Sequence, residues 1–169
     1  MPLLDLRDAC FVRDGITLLA PFSLSLERGE HRKIAFPTAL AAKCAARIAA
    51  GIVRATAGAV FIDGFDPRLQ PVQAKRAVGY IGPEILEVPF HGDKYIRYRS
   101  ALWGVERDRA SARATELRAS LGRPGADDAL VGAMLADPPL LVLECLDPAI
   151  VSAVARVAGG AAIFEARVA

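Results

Sequence analysis

Two charged residues stand where chemistry could happen. Lys43 lies in an alanine-rich stretch just after a short strand-like run, where its ammonium could hold a phosphate or could equally snorkel to solvent along a helix face. Glu144 closes the apolar run Pro139-Leu140-Leu141-Val142-Leu143 and is followed at once by Cys145. A carboxylate at such a strand end can hold a cation or activate water, and it can also simply face solvent or a helix N-terminus. Little else suggests chemistry. His31 and His91 are isolated and read as surface residues, and Cys145 has no base near it in sequence. Cys10, Cys44 and Cys145 are odd in number and lack CxxC spacing, which argues against a disulfide framework and against a zinc site. Asp127-Asp128 suits a helix N-terminus better than a metal, so no metal site is expected.

Composition sets the frame. A chain of 169 residues fits one domain, and 53% hydrophobic with 24% charged residues is a globular balance. The formal charge of +2, from 21 basic and 19 acidic residues, leaves no footprint for nucleic acid or an anionic membrane. Arg97, Arg99, Arg107 and Arg109 read as a solvated helix face. Asp5, Arg7 and Asp8 interrupt the N-terminus before a signal-like apolar run, and Lys43, Arg47 and Arg54 interrupt the long Ala-rich segment. The expected location is cytoplasmic, with peripheral attachment to the inner face of the cell membrane through partners.

The elements that would position Lys43 and Glu144 can be traced along the chain. Strand-like spacing over residues 3–12, the Asp14-Gly15 turn and the alternating Phe22-Ser23-Leu24-Ser25-Leu26 predict an antiparallel β start. Residues 32–36 predict a short strand, residues 39–50 a helix of strong helix formers, and Gly51 its end. Strands are predicted at 59–62 and 78–81 with a helix at 70–77 between them. Helices follow at 91–103, 107–121 and 127–135. The run at 139–143 is apolar on both faces, which places it in a parallel sheet covered by helices. A helix at 150–157 and a strand at 161–164 complete the order.

Several phrases in this order resemble the ATP-binding subunits of ABC transporters over nearly the whole chain. Gly29-Glu30 stands where that family has Gly-Glu before its phosphate loop. Ala50-Gly51-Ile52-Val53-Arg54-Ala55-Thr56-Ala57-Gly58 is similar to its Ala-Gly-x-x-x-Pro-x-x-Gly phrase, with Ala55 in place of the proline. Val78-Gly79-Tyr80-Ile81 resembles the strand before the glutamine loop, and Tyr95-Ile96-Arg97-Tyr98 the helix after it. Ala136-Asp137-Pro138 with the apolar run resembles the approach to Walker B, and Leu146-Asp147-Pro148 the D-loop. The resemblance implies an α/β, P-loop NTPase-like ABC ATPase core with a mostly parallel sheet, an antiparallel β N-terminal part and a reduced helical subdomain. It implies a single domain over 1–169, with the helical insertion at about 85–135.

Position by position, the family's chemistry is missing. A gap-free register places Phe36-Pro37-Thr38-Ala39-Leu40-Ala41-Ala42-Lys43-Cys44 on the phosphate loop, with every glycine replaced and Ala42 on the essential lysine. A register shifted by one makes Lys43 that lysine and Cys44 the magnesium ligand, but it needs a deletion in the following helix. The adenine-stacking aromatic maps to Arg13, with Phe11 nearby, and the glutamine maps to Pro83, with Glu84 adjacent. Glu144 falls on the magnesium-linked aspartate and Cys145 on the catalytic glutamate. The signature segment has only Leu121-Gly122-Arg123-Pro124 as a candidate, and the switch histidine is absent. The expectation is a non-hydrolysing pseudo-ATPase with no catalytic residue and no required cofactor, partnered by an active ABC ATPase subunit, a membrane permease, or both, and able to form a dimer. Its partner surface would include Val88, Pro89, Phe90 and Tyr95 after the glutamine loop, and Leu146, Asp147 and Pro148 facing a second cassette. The alternatives are a divergent ATPase that binds ATP and magnesium through Lys43, Cys44 and Glu144, and a free-standing scaffold or regulator unrelated to transport.

Overall fold

The computed structural model describes residues 1–83, 91–121 and 128–169. The chain opens with a long hairpin, β1 (Leu4–Arg13) and β2 (Ile16–Leu26). Its turn residues Asp14 and Gly15 both take positive φ, 51° and 75°, the geometry that matches the strands' own twist. β3 (His31–Phe36) leads into α1 (Ala39–Ala49), which stops at Gly51 with φ 65°. β4 (Ala57–Ile62), α2 (Pro71–Arg76) and β5 (Val78–Ile81) follow. Next come α3 (Asp93–Trp103), α4 (Arg107–Leu121), α5 (Asp128–Met134), β6 (Leu140–Glu144), α6 (Pro148–Val157) and β7 (Ala162–Val168).

The strands sort into two sheets. β2-β1-β4 is antiparallel, and β3-β7-β6-β5 is wholly parallel. β6 lies inside the parallel sheet with all five residues buried, as its uninterrupted apolar run predicts. Leu140 and Val142 face one core, shared with α1 and the antiparallel sheet, while Leu141 and Leu143 face a second core built from α3, α4, α5 and α6. Both cores meet at β6, so its C-terminal end is held from two sides.

The helices of the second core are tied at Asp128. Its carboxylate accepts from Arg118 at 2.8 Å and from the Gly92 backbone N–H, joining the starts of α3 and α5 to the end of α4. Burial alone would raise its pKa, but the Arg118 bond and the Gly92 N–H outweigh burial and hold the carboxyl below its ordinary 3.8. A carboxylate depressed in the fold contributes stability that is complete above 3.8 and is lost as pH falls through its lower folded value. Acid titration followed by Trp103 fluorescence is therefore expected to show loosening that begins below about pH 4, and an Asp128→Asn variant is expected to flatten that limb.

Candidate functional site at the end of the parallel sheet

The connection from β3 to α1 is only Pro37 and Thr38. Thr38 is extended, with φ −138° and ψ 155°, and its hydroxyl accepts from the Ala41 N–H at 3.0 Å, an N-cap that satisfies one otherwise orphaned donor of α1. The helix is already formed by Ala39, and no residue from 36 to 44 has positive φ. Phe36, in the register position of the loop's first glycine, is 6% exposed and packs edge-on against Phe22 with ring centroids 5.5 Å apart. Ala41 and Ala42 are buried in the core. The segment is therefore a capped helix start anchored by an aromatic, with no backbone loop that could wrap an anion.

Glu144 sits across from this helix and is 4% exposed, so it neither faces solvent nor caps a helix. The Arg47 Nε, from the last turn of α1, lies 3.1 Å from its Oε2, and the Tyr80 hydroxyl from β5 donates to the same oxygen. One carboxylate oxygen thus links α1, β5 and β6. Burial and the neighbouring carboxylate push the Tyr80 hydroxyl well above the ordinary tyrosine range, so it remains a donor. Burial also pushes the thiols of Cys44 and Cys145 up; Arg47 and Lys43 oppose the shift at Cys44, while Glu144 adds to it at Cys145. Both thiols therefore remain protonated at neutral pH, which is the wrong state for a nucleophile or a metal ligand. Among the described residues no group of three or more His, Cys, Asp or Glu could hold a metal.

The remaining expected site residues separate into distinct places. Lys43 is half-buried on α1, and Cys44 is buried beside it. Asp147 is exposed and caps α6, its side chain accepting from the Ala149 N–H at 2.7 Å, and Pro148 takes the first helical position. Leu146 is half-buried. Tyr95, expected on the partner surface, instead lies in the second core at 4% exposure, because α3 packs it onto the bare backbone of Gly132 on α5. Val88, Pro89, Phe90 and Glu84 lie outside the described residues, as do Gly122, Arg123 and Pro124. Arg13 is exposed, and Phe11 packs against the first core.

Sequence reasoning misses Arg47 and Tyr80. The signal is present in the chain: Arg47 is one helical turn after Lys43, and Tyr80 is in the strand that pairs with β6 through Tyr80↔Val142. Another surface also emerges. α3 exposes Tyr98 and Leu102, at 52% and 55%, and a cleft of about 490 Å³ near its C-terminal end is lined by Trp103, Val105, Arg76 and Arg109.

No protein-family model matches the sequence, and no curated protein matches it. Solved structures match it in fold. The ATP-binding subunit of an ABC transporter is 19% identical with a TM-score of 0.77, over 98% of this chain and 79% of that one. CbiO1 from Clostridium perfringens, part of the ABC transporter complex CbiONQ, is 16% identical with a TM-score of 0.76, over 99% and 79%. A dimeric ATP-binding cassette in a post-hydrolysis state, bound to ADP and phosphate, is 14% identical with a TM-score of 0.74, over 97% and 87%. At these identities the likeness is one of fold. With its parallel sheet, antiparallel N-terminal sheet and helical layer, the chain has the α/β fold of ABC transporter ATP-binding subunits.

Proposed function

We propose that this chain is a non-hydrolysing, cassette-like subunit of an ABC transporter complex, acting as a structural or regulatory partner of an active ATPase subunit, a membrane permease, or both. The observation that carries the proposal is the end of β6, where the protein's own groups fill the place of a nucleotide's metal. Arg47 and Tyr80 converge on Glu144, and the guanidinium supplies the positive charge that the buried carboxylate requires. The β3–α1 segment points the same way, because buried Ala41 and Ala42 and a two-residue connection leave no glycine-rich cradle for phosphates. On this reading the residues do not fit ATP with magnesium, and the chain acts by docking rather than by turning over a nucleotide.

The partner side of the proposal uses the exposed apolar residues. Tyr98 and Leu102 on α3, beside the Trp103 cleft, offer a permease a surface of the aromatic and arginine-rich kind found at interfaces. The neighbours with this fold include a component of a transporter complex and a dimer. Among the described residues no helix is long and apolar enough to cross a membrane, so attachment would run through such a partner on the cytoplasmic face.

Calorimetry with Mg-ATP and a phosphate-release assay test the chemistry. The expected outcome is no saturable heat and no turnover; clear binding with hydrolysis would establish the divergent ATPase that uses Lys43 and Glu144. Co-purification from native cells tests the partnership. Recovery of a permease with an intact cassette supports a transporter role, and their absence supports a free-standing scaffold.

A further inference from the structure

β3 is the terminal strand of the parallel sheet, and among the described residues it pairs only with β7. The Ile163 N–H donates to the Glu30 carbonyl and the Ala169 N–H to the Phe36 carbonyl, so the even-numbered residues of β3 turn their main-chain groups toward β7. His31, Lys33 and Ala35 therefore turn theirs outward, and all three are exposed. Such an edge is a template for another strand, and proteins commonly protect it with charge. Here the charges are committed elsewhere. Lys33 and His31 turn to Glu165, at 3.3 Å and 3.6 Å, and Arg32 pairs with Glu30. There is no proline within β3 to interrupt it.

We propose that this edge pairs with β3 of a second copy of the chain, antiparallel and centred on Ile34. The strand's polarity selects that register. A two-fold axis normal to the sheet keeps each face continuous, so opposed residues must come from the same face. Centring on Lys33 sets two lysines directly opposite one another, which is destabilising. Centring on Ile34 sets Ile34 on Ile34, Lys33 on Ala35 and Arg32 on Phe36, so every basic residue faces an apolar one. The same register brings the outward groups of Lys33 and Ala35 face to face as hydrogen-bonded pairs, giving about four main-chain bonds across the axis. An edge alone buries less than the roughly 1,200–2,000 Å² of a stable interface, so the dimer is weak and concentration-dependent.

Ala35→Pro separates this pairing from the fold. Its N–H faces outward and takes no part in the β7 ladder, and a proline is tolerated on an edge strand with that orientation. Sedimentation equilibrium from about 10 µM to about 1 mM should show the natural chain shifting from monomer to dimer, with Ala35→Pro monomeric throughout and unchanged in circular dichroism. Over the same range, amide exchange should become protected at Lys33 and Ala35 in the natural chain, while Arg32 and Ile34 stay protected at every concentration. A natural chain that is monomeric at 1 mM, a dimer that persists in Ala35→Pro, or a dimer whose Lys33 and Ala35 amides exchange freely would each overturn the proposal. If Ala35→Pro fails to fold, the amide pattern of the natural chain decides.

Discussion

Replacing Arg47 by methionine is expected to lower the unfolding free energy by about 3–5 kcal/mol, the cost of leaving a buried carboxylate without its cation. The side chains of Glu144 and Arg47 are 5% and 22% exposed, so water cannot take over the guanidinium's role without opening the junction of α1 with β6. Methionine keeps most of the volume and the apolar stem, which isolates the charge as the variable. The companion variant is Arg47→Met with Glu144→Gln. It removes both charges yet leaves an amide oxygen that the Tyr80 hydroxyl can still use, and it should recover most of the loss, since exchanging a whole buried pair for neutral groups is often close to neutral. Urea unfolding of the three proteins gives both numbers. A loss below about 1 kcal/mol in the single variant would place this pair with weak surface salt bridges and remove the main support for a metal-free site.

Much of this arrangement can be read from residues alone, and the gaps have physical causes. α1 is legible because its alanines, lysine and arginine favour helix and Gly51 must leave it; β6 is legible because its apolar run has no polar break. β7 is legible only to Phe164, since Glu165 and Arg167 end the apolar pattern. The strand continues to Val168 because Glu165 is neutralised by His31 and Lys33 from β3, a pairing set by register and invisible along the chain. α6 starts two residues earlier than its apolar spacing suggests, because Asp147 and Pro148 supply a cap and a preset first turn. Tyr95 misleads for a related reason: which face of α3 turns inward depends on Gly132, a position distant in sequence that only packing brings close. The candidate site is half legible. Register counting locates Glu144 and the rebuilt β3–α1 segment, but the partners of Glu144 come from the far end of α1 and from a neighbouring strand.

Gly79→Ala is expected to destabilise the protein by about 3 kcal/mol or more, at or beyond the upper end for overpacking a core. Gly79 lies in β5, paired with Leu141 of β6, directly beneath α5. A Cβ built there would collide with the Ala133 carbonyl oxygen and stand 2.8 Å from a Leu141 methyl and 2.9 Å from the Pro138 ring. Leu141 could rotate away, but Ala133 contributes backbone from inside a helix, so relief requires α5 to lift off the sheet. α5 carries Gly132, which receives Tyr95, and Asp128, which joins α3 and α4, so the displacement would spread through the second core. The effect should therefore be regional. Hydrogen exchange in Gly79→Ala is expected to accelerate first in α3, α4 and α5, while the β1–β2 hairpin and α1, which belong to the other core, keep their protection longer. Uniform acceleration across both cores would instead mean that β6 and its Glu144 junction transmit the strain to α1, and that the two cores unfold as one unit.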